Sequence, residues 1–238
     1  MRVSLDLTTK KLNNSWKYTS APPSIALLNS YFPQKFFIDG PAGKLETVLV
    51  ELNSEHRRGI AVIAHPHPLY GGTMDNKVVH TLFKVLFELG FVTVKFNFRG
   101  VGKSEGVYGE GVGETEDVIT VVEALQNQFD ARGSNLPLLL AGFSFGGAVQ
   151  AHVARNLSPQ TLVLVAPSVD RLNAPPISGY VDRPLIIHGD QDEVVSLKTV
   201  LDWATLQDLP VVVIPGAEHF FNGKLHILKR VVLDSCRS

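Results

Sequence analysis

Gly142-Phe143-Ser144-Phe145-Gly146 follows an apolar run from Leu136 to Ala141 and leads into Gly147-Ala148-Val149-Gln150-Ala151, which reads as the start of a helix. A strand, a sharp turn with a serine at its tip, and a helix together make a nucleophile elbow. Such a turn strains the serine backbone and lifts its hydroxyl clear of the sheet. Glycines stand two residues to either side, where a Cβ would collide with a neighbouring strand or helix. The pentapeptide alone also occurs in ordinary loops. The strand before it and the small residues after it are what point to a catalytic serine. The rest of the chain must then supply a base, an acid and an oxyanion site.

Working outward, Gly59 to Ala64 is apolar throughout, as expected of a strand in the middle of a mainly parallel sheet. Lys35 to Ile38 and Leu45 to Leu52 read as two strands joined by the turn Asp39-Gly40-Pro41-Ala42-Gly43. Phe91 to Phe96, Thr161 to Ala166, Pro184 to His188 and Val211 to Ile214 are further strands. Apolar residues three and four apart predict helices over about Asp75 to Leu89, Glu114 to Phe129, Leu197 to Leu206 and Lys224 to Leu233. This alternation predicts an α/β fold: a mainly parallel central sheet with helices on both faces. About 17 residues from Ser168 to Pro184 separate two strands near the serine, room for a short lid but not for a cap domain. Residues 1–34 carry turn-formers, Asn13-Asn14-Ser15 and Ala21-Pro22-Pro23, and read as a weakly structured N-terminal extension. Residues 35–238 read as the single α/β domain.

The bulk numbers narrow the class. Of 238 residues 45% are hydrophobic, enough for one full core, and 22 basic against 23 acidic residues leave a net charge of −1. That is not the basic footprint of a nucleic-acid binder. Cys236 is the single cysteine, so an intramolecular disulfide and a cysteine-rich zinc site are excluded. Residues 133–154 lack formal charge but hold Pro137, glycines and polar residues, as a buried strand-turn-helix does and a bilayer span does not. The N-terminus has an early acid and no apolar core, so it is not a secretory signal. A cytoplasmic, non-membrane protein is the expectation.

A serine hydroxyl needs a base within hydrogen-bond reach, and that base needs an acid to fix its tautomer. Of eight histidines, His219 lies in the loop after the last strand, Pro215-Gly216-Ala217-Glu218-His219-Phe220. Open α/β sheets gather their sites at such carboxyl ends. His56 precedes a strand and His80 and His152 fall within helices, so these three read as structural; His226, on the helix beyond, reads as facing solvent or core. The acid is expected to leave the penultimate strand, in His188-Gly189-Asp190-Gln191-Asp192. Asp192 is favoured; Asp190 sits close enough to the strand to bond turn amides, and Asp170 is the outside candidate.

The chain order Ser144, Asp192, His219 is that of α/β-hydrolases. Residues 36–234 specifically resemble a small, lidless group of predicted bacterial hydrolases. That group carries a His-Pro-His-Pro-x-x-Gly-Gly loop after strand three, here His65 to Gly72, and an Asn-Phe-Arg-Gly-Val-Gly-x-Ser loop after strand four, here Asn97 to Ser104. The resemblance implies an α/β-hydrolase fold and ester or thioester hydrolysis. It places one oxyanion donor at the Phe145 amide and the second on the His65 loop. In relatives with His-Gly-x there, the third residue donates, which corresponds to His67. Pro66 and Pro68 have no N–H to give, and Leu69 is the fallback. Leu69, Tyr70, Phe143 and Val194 are candidates for an apolar acyl pocket.

Two rival motifs are weighed against this. His65-x-His67 has metal-pair spacing but lacks obvious further ligands apart from Asp75, so no metal is expected; His65 reads instead as an anchor of its own loop. Gly102-Lys103-Ser104 imitates the end of a phosphate-binding loop, but the required first glycine falls on Asn97 and no helix starts at Lys103. Arg99 and Ser104 then read as structural ties.

The expectation is a cofactor-free serine hydrolase, a carboxylesterase acting on short-chain or small acyl esters through Ser144, His219 and Asp192. A thioesterase, and a serine aminopeptidase or acyl-peptide hydrolase, would use the same triad. A non-catalytic ligand-binding module on a hydrolase scaffold is the alternative of another class. The expected partner is a small ester-like molecule, with neither nucleic acid nor membrane, and a homo-oligomer is left open.

Overall fold

The computed structural model describes residues 32–53, 56–129 and 136–237. Eight strands form one sheet: β1 Gln34–Gly40, β2 Gly43–Val50, β3 Gly59–Ala64, β4 Phe91–Phe96, β5 Leu138–Phe143, β6 Thr161–Val165, β7 Arg183–Gly189 and β8 Val211–Ile214. Their order is β1-β2-β4-β3-β5-β6-β7-β8. β1 and β2 pair antiparallel, as do β2 and β4; every pairing from β4 to β8 is parallel. Among the described residues five helices cover it: α1 Lys77–Glu88, α2 Val112–Phe129, α3 Phe145–Leu157, α4 Leu197–Thr205 and α5 Leu225–Cys236.

The continuous apolar strands are buried on both faces because helices cover both. Ile60, Val62 and Ala64 of β3 join a core with α2, α3 and α4, while Ala61 and Ile63 join a second core with α1 and α5. Each fully buried Val, Leu, Ile or Phe contributes about 1.5–3 kcal/mol. The connection from β6 to β7, residues 166–182, runs as turns with no helix, so among the described residues no cap domain overhangs the sheet. No described helix is long and apolar enough to cross a membrane.

Two boundaries differ from the sequence reading in a way that matters for the site. β5 begins at Leu138, since Pro137 has no N–H, and continues through Gly142 to Phe143, immediately before the serine. Helix α1 starts two residues later than expected, where the Asn76 side chain accepts the Val78 amide as an N-cap. Of the N-terminal extension expected over residues 1–34, residues 1–31, with Trp16, Tyr18 and Tyr31, lie outside the described residues, and Gln34 already belongs to β1.

Candidate active site

Ser144 stands between β5 and α3 with φ 55° and ψ −116°, a backbone that a non-glycine residue adopts only under strain. It is the N-cap of α3, yet its side chain makes no capping hydrogen bond, so the hydroxyl is free for other partners. The flanking glycines are a steric requirement. A Cβ on Gly142 would lie 2.3 Å from the Gly146 carbonyl oxygen, and one on Gly146 would lie 2.5 Å from those of Ala64 and His65.

Three chain segments bring the predicted polar residues together. Ser144 Oγ lies 3.1 Å from His219 Nε2, and His219 Nδ1 lies 2.7 Å from Asp192 Oδ2. A carboxylate only accepts, so Nδ1 carries the ring proton and Nε2 is left to accept from the serine. The second oxygen of Asp192 accepts the amides of Val194 and Val195, at 2.9 and 2.8 Å. Burial alone would raise the Asp192 carboxyl, but the hydrogen bonds from His219 and from these amides hold it below its ordinary range. The His219 ring is buried against Phe143, their ring centres 5.0 Å apart.

The other acids are elsewhere. Asp190 accepts the Gly216 amide at 2.6 Å, so it ties the loop after β7 to the loop after β8 rather than closing its own turn. Asp170 is exposed on the turn after β6. Asp75 pairs with Lys95 at 2.8 Å. His65 is fully buried: Nδ1–H donates to the Pro66 carbonyl at 2.6 Å and Nε2 accepts the Phe98 amide at 3.1 Å. With both nitrogens engaged, His65 pins its loop to the loop after β4 and has no lone pair for a metal. Burial lowers its pKa to about 4, so the ring is neutral.

Arg99 and Ser104 fix the second loop. The Arg99 guanidinium donates to buried Asp117 through Nε and Nη2, at 3.0 and 2.7 Å, and Ser104 Oγ donates to the Asn97 carbonyl at 2.7 Å.

The residues assigned to the oxyanion site flank this cluster. Phe145 is the first residue of α3, so its amide has no carbonyl of its own helix to bond. His67 begins a 3-10 turn over Pro68–Tyr70, and its ring packs on Phe145 at 4.7 Å between centres. The Leu69 amide donates to His67 Nδ1 at 3.3 Å and is therefore engaged within its own loop.

A cleft of about 310 Å³ opens beside Ser144 and His219. Tyr70 and Val194, two of the four residues expected in an acyl pocket, line it. Leu69 and Phe143 do not. Leu69 points to solvent, and Phe143 is wholly buried because the strand alternation of β5 turns it into the α1–α5 core. Ser168, Arg171, Asn76 and Phe220 line the cleft without having been singled out in the sequence. Ser168 and Arg171 follow β6, where Ala166 adopts φ 43° and sends the chain back across the elbow. Among the described residues no aspartate or glutamate lines the cleft. A larger cavity of about 650 Å³, lined by Thr115, Ile119, His152 and Arg155, contains none of Ser144, Asp192 and His219.

The chain shares this arrangement of elements with known proteins. Residues 56–183 match the family described as Serine aminopeptidase, S33. The structure of an alpha-beta serine hydrolase homologue from Coxiella burnetii is 42% identical, covers 84% of this chain and 96% of its own, and superposes with a TM-score of 0.77. A Xanthomonas campestris protein, described as an a/b serine hydrolase without lid, is 34% identical over 86% of this chain and 94% of its own, also with a TM-score of 0.77. An uncharacterised protein of Rickettsia prowazekii (strain Madrid E) is 33% identical over 213 residues, 85% of this chain and 87% of its own. By its matched sequence and its lidless, mostly parallel sheet, the chain belongs to the Serine aminopeptidase, S33 family of the α/β serine hydrolases.

Proposed function

We propose that this protein is a carboxylesterase that cleaves small acyl esters through an acyl-enzyme. The observation that carries the reading is the unbroken hydrogen-bonded chain Ser144 Oγ, His219, Asp192. His219 Nε2 takes the Ser144 proton as Oγ attacks the ester carbonyl. The tetrahedral oxyanion is held by the amides of Phe145 and His67, each worth about 2.7–4 kcal/mol of barrier. The imidazolium, stabilised by Asp192, returns its proton to the leaving alcohol as the C–O bond breaks. Water, deprotonated by the same nitrogen, then releases the acid and regenerates Ser144.

The engagement of the Leu69 amide favours His67 as second donor. The open cleft, over which the described residues place no cap, suits short acyl groups such as acetate or butyrate. Among the described residues no carboxylate lines the cleft, which weighs against a peptidase that anchors a free amine. Labelling by a fluorophosphonate probe is expected in the wild type and abolished in Ser144→Ala; equal labelling of the two refutes the assignment. A panel of p-nitrophenyl esters, thioesters and peptide amides is expected to show turnover of short-chain esters above the rest. Preference for long acyl chains, or for thioesters or peptides, would replace the substrate class. Binding by isothermal titration without turnover anywhere in the panel would make the protein a ligand-binding module.

A further inference from the structure

Among the described residues, the cleft beside Ser144 holds one formally charged side chain other than its histidines, Arg171. Its guanidinium carbon lies 5.6 Å from the centre of the Tyr70 ring, which also lines the cleft. Among the described residues no carboxylate stands within 4.0 Å of it to form an ion pair. Asp170, its neighbour in the chain, is exposed and forms no ion pair with it, and two acids of the surrounding loops are committed to backbone amides. Glu114 is fully buried and spends its two oxygens on the amides of Gly109 and Gly111, at 2.9 and 2.7 Å. Glu218, on the loop that carries His219, accepts the amides of Phe220 and Asn222. The positive field reaches into the site: after burial, Arg171 is the next cause holding His67 below its ordinary range.

A guanidinium offers its N–H groups in a rigid fork that matches carboxylate and phosphate oxygens, and an aromatic face beneath it limits its freedom before binding. An unpaired surface arginine is ordinary by itself. Here it shares with the serine and the histidine a small cleft that no described acid lines. We infer that Arg171 is a specificity-determining residue that binds the carboxylate or phosphate of an anionic ester while its scissile carbonyl sits at Ser144. This rests on the esterase reading above.

The test compares matched ester pairs by their ratio of kcat/KM, anionic over neutral. Mono-4-nitrophenyl glutarate against 4-nitrophenyl butyrate places the anion in the acyl half. Butyryl-glycerol 3-phosphate against butyryl-glycerol places it in the alcohol half. The wild type is expected to favour the anionic member of at least one pair at low ionic strength, and that pair identifies the half bearing the charge. In Arg171→Ala that ratio is expected to fall about tenfold, chiefly through KM, as loss of a charged hydrogen bond predicts. Arg171→Lys restores part of it and Arg171→Glu lowers it further. A fall of less than about threefold, or a wild-type preference for both neutral esters, overturns the inference. The same question is read without turnover as protection of Ser144 from the fluorophosphonate by glutarate or glycerol 3-phosphate; absent protection, or equal protection in Arg171→Ala, also overturns it. Failure of Ser144-dependent labelling sinks the hydrolase reading itself, whereas a labelled enzyme with an unchanged ratio sinks the Arg171 inference alone.

Discussion

The Ser168 hydroxyl lies 3.2 Å from that of Ser144, and the Ser168 amide donates to the Ser144 carbonyl at 3.1 Å. Ser144 has one proton, and the acceptor for it is His219 Nε2. Ser168 is then the donor in the serine pair, and its hydrogen bond restrains the Ser144 side chain. Removing that hydrogen bond in Ser168→Ala is expected to lower kcat/KM about fivefold, the equivalent of about 1 kcal/mol. The rate of fluorophosphonate labelling should fall in step, with a melting temperature close to wild type. An undiminished labelling rate would make Ser168 a packing residue only.

What the sequence discloses and what it hides have physical causes. Ser144 is legible because its turn imposes glycine at two fixed spacings and its strand is apolar for packing on both faces. His219 and Asp192 are legible because parallel strands deliver their ends to one edge of the sheet. Arg171 and Ser168 are not legible, because they sit on an aperiodic turn. What steers that turn toward the elbow is Ala166 at φ 43°, a conformation an alanine does not announce. Phe143 is misplaced in the sequence reading because adjacency to the serine suggests a lining residue. Once β5 runs to Phe143, alternation assigns that side chain to the core, where it backs His219.

The elbow is also a packing constraint on the whole sheet. In Gly146→Ala the new methyl would lie 2.5 Å from two backbone oxygens of β3 and its loop, neither of which can move without shifting the strand. In Gly147→Ala the nearest contact is 3.0 Å to the Pro167 Cβ, and alanine gains about 1 kcal/mol of helix propensity in compensation. Gly146→Ala is expected to cost about 3 kcal/mol, and Gly147→Ala about 1 kcal/mol or less. Urea denaturation midpoints measure both; the reverse order would mean that the β3 loop yields more readily than its two buried histidine hydrogen bonds suggest.

His65 makes stability depend on pH. An unfolded histidine takes a proton near pH 6.5, whereas the buried ring resists until about pH 4. The unfolded state therefore binds more protons between these values, and stability falls as pH falls through that window, by about 3 kcal/mol from this group. Above pH 6.5 both states are neutral and the contribution is flat. His188 is also lowered by burial and adds to the loss with the same sign. Unfolding free energies measured from pH 7.5 to 4 should show this decline, and His65→Gln should flatten part of it while lowering stability at pH 7.5. A decline of the same steepness in His65→Gln would locate the pH sensitivity elsewhere.

The hydrogen bonds around Asp192 predict how an isosteric change would fail. One carboxylate oxygen accepts two amides, Val194 and Val195, and the other accepts His219 Nδ1–H. His188 Nε2 donates to the Val195 carbonyl at 3.0 Å and lies 3.5 Å from the carboxylate, so it is not the principal partner. In Asp192→Asn the amides require an acceptor, which fixes the amide oxygen toward Val194 and Val195 and turns the NH₂ toward His219. His219 Nδ1 must then accept, the proton moves to Nε2, and the ring can no longer take the Ser144 proton. The fold and the cleft are retained, but kcat is expected to fall by about 10⁴. Ester turnover, fluorophosphonate labelling and a thermal melt on the same sample separate this from misfolding. A loss of less than about tenfold in a folded variant would mean that something other than Asp192 sets the His219 tautomer.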